Sequence, residues 1–370
     1  MRVQVVDPPA YTPPYDRALC AALARAGAEV ELITSQFGHG PVPAAAGYQV
    51  EELFYPLAGR LGPPASAASR AAKLAGHLPG MVRLRRRSRD ADVVHVQWLT
   101  LPGLDAALLP HRPRVWTVHD PPPAGGPRRA GWAAAARRMD ALVAHSAPGA
   151  DALVERLGVA RERVHVIPHG AFEHLTHVPG ERPLPPEFAA VEGPVILCFG
   201  LIRPYKGIDV LVEAFRAIEG AELWIVGRPM MDLTALQEAA AACRSTVRWM
   251  PRFITDPEIP ALFSRADLVA LPYREADQSG VLYTALAFGN AIVASSVGGF
   301  PEVAAHGDAL RLVPPGDPAA LAATLRELLD DPAERERLAA GARAAAGGPY
   351  SWDRVAAETL ALYRSLRPGA

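Results

Sequence analysis

An arginine and a lysine three residues apart, Arg203 and Lys206, sit in the stretch FGLIRPYKGID (199–209), after the apolar run 195–199 and before an apolar-periodic segment that reaches 218. Strand, short Gly/Pro-bounded loop, helix is the order this pattern predicts. Lysine occurs at only two positions in the chain, Lys73 and Lys206, so a sequence that otherwise uses arginine for its cationic charge keeps an ammonium here. Two cations at the carboxyl end of a buried strand, just ahead of a helix amino terminus, suit a diphosphate, because main-chain N–H groups and the helix dipole add to them. Taken alone, the stretch fits a solvated basic loop equally well.

A second loop strengthens the first reading. After the apolar run 268–271 comes PYREADQSGV (272–281), which enters a helix with Ser279 in the N-cap position and Gly289 as its stop. The amides of Gly280 and Val281 then face the same side as Arg203 and Lys206 and hold a diphosphate from the opposite direction. Glu275 and Asp277 are the carboxylates of that loop; they either accept hydrogen bonds from sugar hydroxyls or are simply solvated. In the first half, His119-Asp120 ends a strand at 115–118, where a structural couple and a functional pair are both open readings.

These loops need rigid strands behind them. Short, near-continuous apolar runs at 2–7, 29–35, 93–98, 115–118, 141–144 and 164–168 alternate with helical periodicity at 15–26 and 149–156. The pattern recurs at 195–199, 222–226, 247–250, 268–271 and 291–295, with helices near 207–218, 233–243, 259–264 and 279–288. Runs of this kind mark parallel strands covered on both faces, so the fold class is α/β, with two doubly wound, Rossmann-like sheets and ligands at strand carboxyl ends. The expected division is a first domain at 1–180, a proline-rich linker at 181–194, a second domain at 195–350, and a helix at 351–370 that packs back on the first domain.

At 370 residues, half of them hydrophobic, and with a net charge of −1, the chain gives no global reason to expect nucleic acid. Three scattered cysteines suggest neither a disulfide framework nor a zinc site, and no apolar run approaches a membrane span, so a cytoplasmic protein is expected. One local cluster stands out. Arg70, Lys73, Arg83, Arg85, Arg86, Arg87 and Arg89 follow one another without an acidic residue, interleaved with Leu74, Leu78 and Val82. That patch either lies against anionic lipid headgroups or is a solvated helix face. Neither half carries Gly-x-Gly-x-x-Gly with an acidic ribose partner, which argues against a dinucleotide oxidoreductase.

Besides 199–209, the segments WIVG (224–227), ADLVALP (266–272), QSGV (278–281), AFG (287–289), ASSVGGFPE (294–302) and VPPG (313–316) occur in this order, with VHD (118–120) and VIPHG (166–170) in the first half. Together they resemble family-4 glycosyltransferases of the GT-B type, the group of glycogen synthases and mannosyltransferases. The resemblance implies two Rossmann-like domains facing a cleft, a nucleoside-diphosphate sugar bound by the second, an acceptor bound by the first, and hexose transfer with retained configuration. It implies no metal and no cofactor besides the donor substrate. It places Arg203 and Lys206 on the diphosphate and His119 near the donor sugar. Phe253, Glu275, Asp277, Gln278 and Thr284 fall around ribose, base and sugar. The loops at 8–15, with Tyr11, Thr12 and Tyr15, at 36–43 and at 121–128 shape the acceptor site, for a glycan, a lipid-linked or a small-molecule acceptor. Where the family carries paired glutamates, this chain has Ala276 and Thr284. That departure keeps two alternatives open, a sugar-nucleotide epimerase or hydrolase on the same architecture and a nucleotide-sugar or lectin-like binding protein without turnover.

Overall fold

The computed structural model describes residues 1–38, 40, 42–56 and 67–367. They divide into two compact units, Met1–Gly170 together with Trp352–Ala370, and Ala171–Ser351. The chain therefore leaves the first unit at 170, and the proline-rich segment 181–194, with its short helix Pro186–Ala189, lies inside the second.

The first unit holds β1 (Arg2–Asp7), β2 (Glu29–Ser35), β3 (Gln49–Phe54), β4 (Val93–Val96), β5 (Arg114–Thr117), β6 (Ala141–Ala144) and β7 (Val164–Val166) in one sheet of order β3-β2-β1-β4-β5-β6-β7. The second holds β8 (Val195–Phe199), β9 (Glu222–Val226), β10 (Val247–Met250), β11 (Leu268–Leu271), β12 (Ala291–Ser295) and β13 (Arg311–Val313), of order β10-β9-β8-β11-β12-β13. All pairings are parallel. Central strands such as β4, β6, β11 and β12 are buried along their whole length, which is why they appear in the sequence as near-continuous apolar runs, interrupted in β4 by His95 and ended in β12 by Ser295.

Strand order decides where ligands can sit. In each sheet the winding reverses once, between β1 and β4 and between β8 and β11, and the loops leaving those strands diverge to opposite faces and open a crevice. In the second unit those loops carry Arg203 and Lys206 on one side and Ser279 on the other. In the first they carry Tyr11 and Thr12 after β1 and Trp98 after β4.

Several elements differ from the sequence reading, two strands and two longer helices among them. Strands β3 and β13 lie at sheet edges, where exposed Gln49 and half-exposed Glu51 and Arg311 break the apolar signal. Helices Pro102–Leu108 and Gly126–Arg137 begin with proline in their first turn, so their openings look like loops; the second takes up part of the expected acceptor loop at 121–128. Of the loop at 36–43, residues 39 and 41 lie outside the described residues.

The final helix, Trp352–Ser365, completes the first unit. It buries Trp352, Val355, Ala356, Leu360 and Tyr363, and it packs along helix Pro13–Arg25. The Tyr363 hydroxyl reaches His95 Nδ1 at 2.5 Å. Trp352 lies so close over Gly170 that a side chain there would collide with the indole. Among the described residues no helix is long and apolar enough to cross a membrane.

Candidate functional site

Lys206 is the most unusual charge in the second unit. It closes a single 3-10 turn, Pro204–Lys206, and its side chain folds back over the end of β8, leaving the residue 6% exposed. Nζ donates to the Phe199 carbonyl at 3.3 Å and lies 5.0 Å from the centre of the Tyr273 ring. Among the described residues no carboxylate lies within ion-pairing distance of it. Burial lowers its pKa, and the neighbouring Arg203 guanidinium pushes in the same direction. A buried ammonium with one carbonyl and an aromatic face for company is short of negative charge. Arg203 itself is exposed and lies on the same turn.

Opposite this turn stands the helix Gly280–Phe288, preceded by Ser279 in extended conformation. Ser279 occupies the N-cap position, yet its hydroxyl makes no cap; it pairs instead with the Tyr273 hydroxyl at 3.1 Å. The first amides of the helix, at Gly280 and Val281, therefore have neither an intrahelical acceptor nor a side-chain cap. Gly200, just after β8, has φ +100°, and a Cβ built on it would lie 2.8 Å from Lys206 Nζ and 3.0 Å from Val281 Cγ2. The cation and the helix start thus converge on one point that only a glycine leaves empty. Gly200→Ala is expected to cost at least tenfold in activity by filling that point; unchanged kinetics would show that nothing binds there.

The connecting loop is held from several sides. Arg274 makes a two-pronged ion pair with Asp209 at 2.7 and 2.5 Å, which lowers the Asp209 pKa, and its amide donates to the Tyr205 carbonyl at 2.8 Å. The Gly299 amide donates to the Asp277 carbonyl at 3.0 Å. Gln278 Oε1 accepts from the Tyr283 hydroxyl at 2.7 Å. Thr284 is buried, and its hydroxyl donates to the Gly280 carbonyl at 2.8 Å, so it retains acceptor capacity only. Glu275 is exposed, and Phe253 is 37% exposed after edge strand β10. Arg203, Lys206 and Ser279–Val281 are thus brought to one switch point, whereas Phe253 stands two strands away.

In the first unit Tyr11 is 68% exposed and meets Trp98 edge-on at 5.2 Å, while Thr12 accepts from Trp98 Nε1 at 2.9 Å and donates its amide to Asp7 at 3.3 Å. Tyr15 departs from them. It is 3% exposed, its ring enclosed by His119, His145, His169 and Trp352, and therefore serves the core beneath the loop rather than its surface. His119 stacks on Trp98 at 5.1 Å; Nε2 faces Gln97 Oε1 at 3.0 Å and Nδ1 faces His145 Nε2 at 3.3 Å. Burial, reinforced by the surrounding imidazoles, holds its pKa well below that of a free imidazole.

The sequence reading missed Tyr273, which diverts Ser279, and the row of histidines formed by His95, His119, His145 and His169. The second had a signal. His95, His119, His145 and His169 each fall within three residues of the end of β4, β5, β6 and β7 in turn, a spacing of one βα repeat.

Comparison with known proteins follows the same division. Residues 17–171 match Glycosyltransferase Family 4, and residues 193–331 match Glycosyl transferases group 1. A D-inositol 3-phosphate glycosyltransferase of Xylanimonas cellulosilytica is 31% identical over 94% of this chain and 90% of its own. Glycogen synthase of Mycobacterium tuberculosis is 29% identical over 76% of this chain and 71% of its own. Among solved structures, sucrose-phosphate synthase of Thermosynechococcus elongatus superposes with a TM-score of 0.75 at 20% identity, covering 99% of both chains. Anabaena HepE in complex with UDP-glucose gives 0.71 at 18% identity, over 98% of this chain and all of the other.

Proposed function

The chain belongs to the family-4 glycosyltransferases, with the GT-B fold, and on that premise we propose that it transfers a hexose from a nucleoside-diphosphate sugar to an acceptor hydroxyl with retention of configuration. The observation that carries this reading is the buried Lys206 ammonium, without a carboxylate partner among the described residues, converging with the uncapped helix start at Gly200. Arg203, Lys206 and the Gly280 and Val281 amides take the diphosphate, and they stabilise the charge that grows on it as the bond from the anomeric carbon to its oxygen breaks. The acceptor hydroxyl attacks from the face the diphosphate leaves, and its proton passes to a departing phosphate oxygen. No protein nucleophile and no metal enters this scheme. His119 meets the donor sugar, and Tyr11 and Thr12 meet the acceptor. The HepE complex with UDP-glucose and the acceptor named in the Xylanimonas relative are consistent with such a donor and with a hydroxylic acceptor.

Arg203→Ala is expected to lower kcat/KM at least tenfold, about 1.4 kcal/mol of transition-state stabilisation, without changing thermal stability, because the side chain is exposed. Near-wild-type rates would remove Arg203 from the site. A panel of nucleotide sugars screened by melting temperature identifies the donor, since a ligand at a hundred times its dissociation constant adds about 2.7 kcal/mol of apparent stability. Incubation without acceptor decides between transfer and the alternatives: isomerised or hydrolysed donor would favour an epimerase or hydrolase, and binding with no turnover a binding protein.

We also propose a peripheral membrane contact through helix Ala67–Arg87. Leu74, Leu78 and Val82, spaced by four, are 66%, 46% and 39% exposed on a helix without an acidic residue in its first turn. Arg70, Arg83, Arg85 and Arg86 are exposed around them. An apolar stripe among cations suits anionic headgroups, each cation near the surface contributing about 1 kcal/mol. Replacing Leu74 and Leu78 by serine and Arg83 and Arg86 by glutamine is expected to abolish co-sedimentation with anionic vesicles. Unchanged binding would refute the contact.

A further inference from the structure

The hydrogen bonds behind His119 fix where its protons lie. His145 follows β6, and its Nδ1 is 3.0 Å from the Ile167 carbonyl oxygen, which can only accept, so Nδ1 carries the proton. Burial pulls the His145 pKa down to about 4, so the ring is neutral at physiological pH and its Nε2 is bare. That bare nitrogen faces His119 Nδ1 at 3.3 Å, and the contact is a hydrogen bond only if His119 Nδ1 donates. His119 is also kept neutral, by burial first and then by His145, His169 and His95 around it. Its Nε2 is then bare as well, and it faces the side-chain amide of Gln97 at 3.0 Å.

A second observation agrees. With Gln97 Oε1 toward His119, the Gln97 NH2 group is buried without an acceptor. The two ends of a carboxamide have the same shape, and hydrogen bonding decides which faces which. Turning the amide sends an N–H to the bare His119 Nε2, and it leaves a carbonyl unpaired instead of a donor, the less costly orphan. His169 shows the same polarity, its Nδ1 donating to the Gly170 carbonyl at 2.7 Å.

We propose that His145 is a positioning residue that fixes the tautomer of His119, so that His119 presents a bare Nε2, held by the Gln97 amide until a substrate hydroxyl donates to it. The functional half rests on the reading that His119 meets the donor sugar. It makes that contact one in which the protein accepts and the substrate donates, so an analogue lacking the hydroxyl proton is rejected.

Nitrogen-15 NMR of the full chain, labelled at histidine, reads the tautomers directly, alongside kinetics of His145→Phe, Gln97→Glu and His119→Ala. The expected result is a protonated Nδ1 and a bare Nε2 on His119 in the wild type. His145→Phe loses that preference and at least tenfold in kcat, as a wrong tautomer does, with the donor KM changed far less. Gln97→Glu, which keeps the shape but sets a carboxylate against the bare nitrogen, moves the proton to Nε2 with a similar loss, and it serves as the test if His145→Phe does not fold. A wild-type His119 carrying its proton on Nε2, or a His145 protonated on both nitrogens, overturns the proposal. So does the assigned tautomer with an unchanged kcat in His145→Phe. A fully active His119→Ala overturns the functional half together with the donor-sugar reading, and the NMR result shows whether the tautomer assignment survives.

Discussion

Replacing Lys206 by methionine is expected to lower kcat/KM about a hundredfold or more while leaving the melting temperature unchanged or higher. The two halves of that result have one cause. An ammonium that is 6% exposed and has, among the described residues, a carbonyl and an aromatic ring but no carboxylate beside it costs the fold stability unless an anion is bound, and methionine fills the same space without the desolvation cost. The charge is useful only when an anion lies against it, and a hundredfold corresponds to about 2.7 kcal/mol, the size of one well-placed donor to a developing oxyanion. Steady-state kinetics and a thermal melt on the same preparation decide the matter. Lost activity accompanied by a melting temperature several degrees lower would make Lys206 a structural residue instead. The pH dependence has a definite sign. Because burial lowers the Lys206 pKa, the unfolded chain holds this proton to higher pH than the folded chain, so between the depressed and the ordinary lysine value stability rises with pH. Donor affinity, which requires the charged form, falls across the same window.

Trp352→Ala should destabilise the first unit by about 3–5 kcal/mol, a large share of the stability of one domain. The indole is 6% exposed, meets the Tyr15 ring at 5.1 Å and covers Gly170, so its removal opens a cavity between Tyr15 and Gly170. Hydrogen exchange read by mass spectrometry is the appropriate measurement, because it separates the two units, for which a single unfolding free energy is not defined. Faster exchange is expected in β1, β4 and helix Pro13–Arg25, with the strands of the second unit unchanged. A loss below about 1 kcal/mol would mean that the last helix adds little to the first unit.

Much of this architecture is legible in the chain itself, for a simple reason: a parallel strand covered on both faces keeps a polar residue only where a partner is buried beside it, as Tyr363 and Thr117 are beside His95. Ala141–Ala144 and Leu268–Leu271 declare themselves in four apolar residues each. Gln49–Phe54 does not, since an edge strand tolerates Glu51 and Glu52, one on each face. The site divides the same way. Arg203, Lys206 and the Ser279 corner follow from local pattern plus the rule that ligands sit at strand carboxyl ends. That Ser279 would turn to Tyr273 and leave its helix uncapped is a tertiary fact, as is the withdrawal of Tyr15 into the core. Neither spacing nor periodicity reports which of two partners a hydroxyl chooses.

The first unit is assembled from two stretches of chain with the whole of the second unit encoded between them. Translation is vectorial, so all of 171–351 leaves the ribosome before the helix that covers Tyr15 and supplies Tyr363 to His95. The second unit is contiguous and has every residue it needs as soon as it emerges. The first unit, though begun earlier, waits with an uncovered apolar face until the final turns are made, and a ribosome stalled before 352 carries a nascent protein with one lobe complete and the other still open.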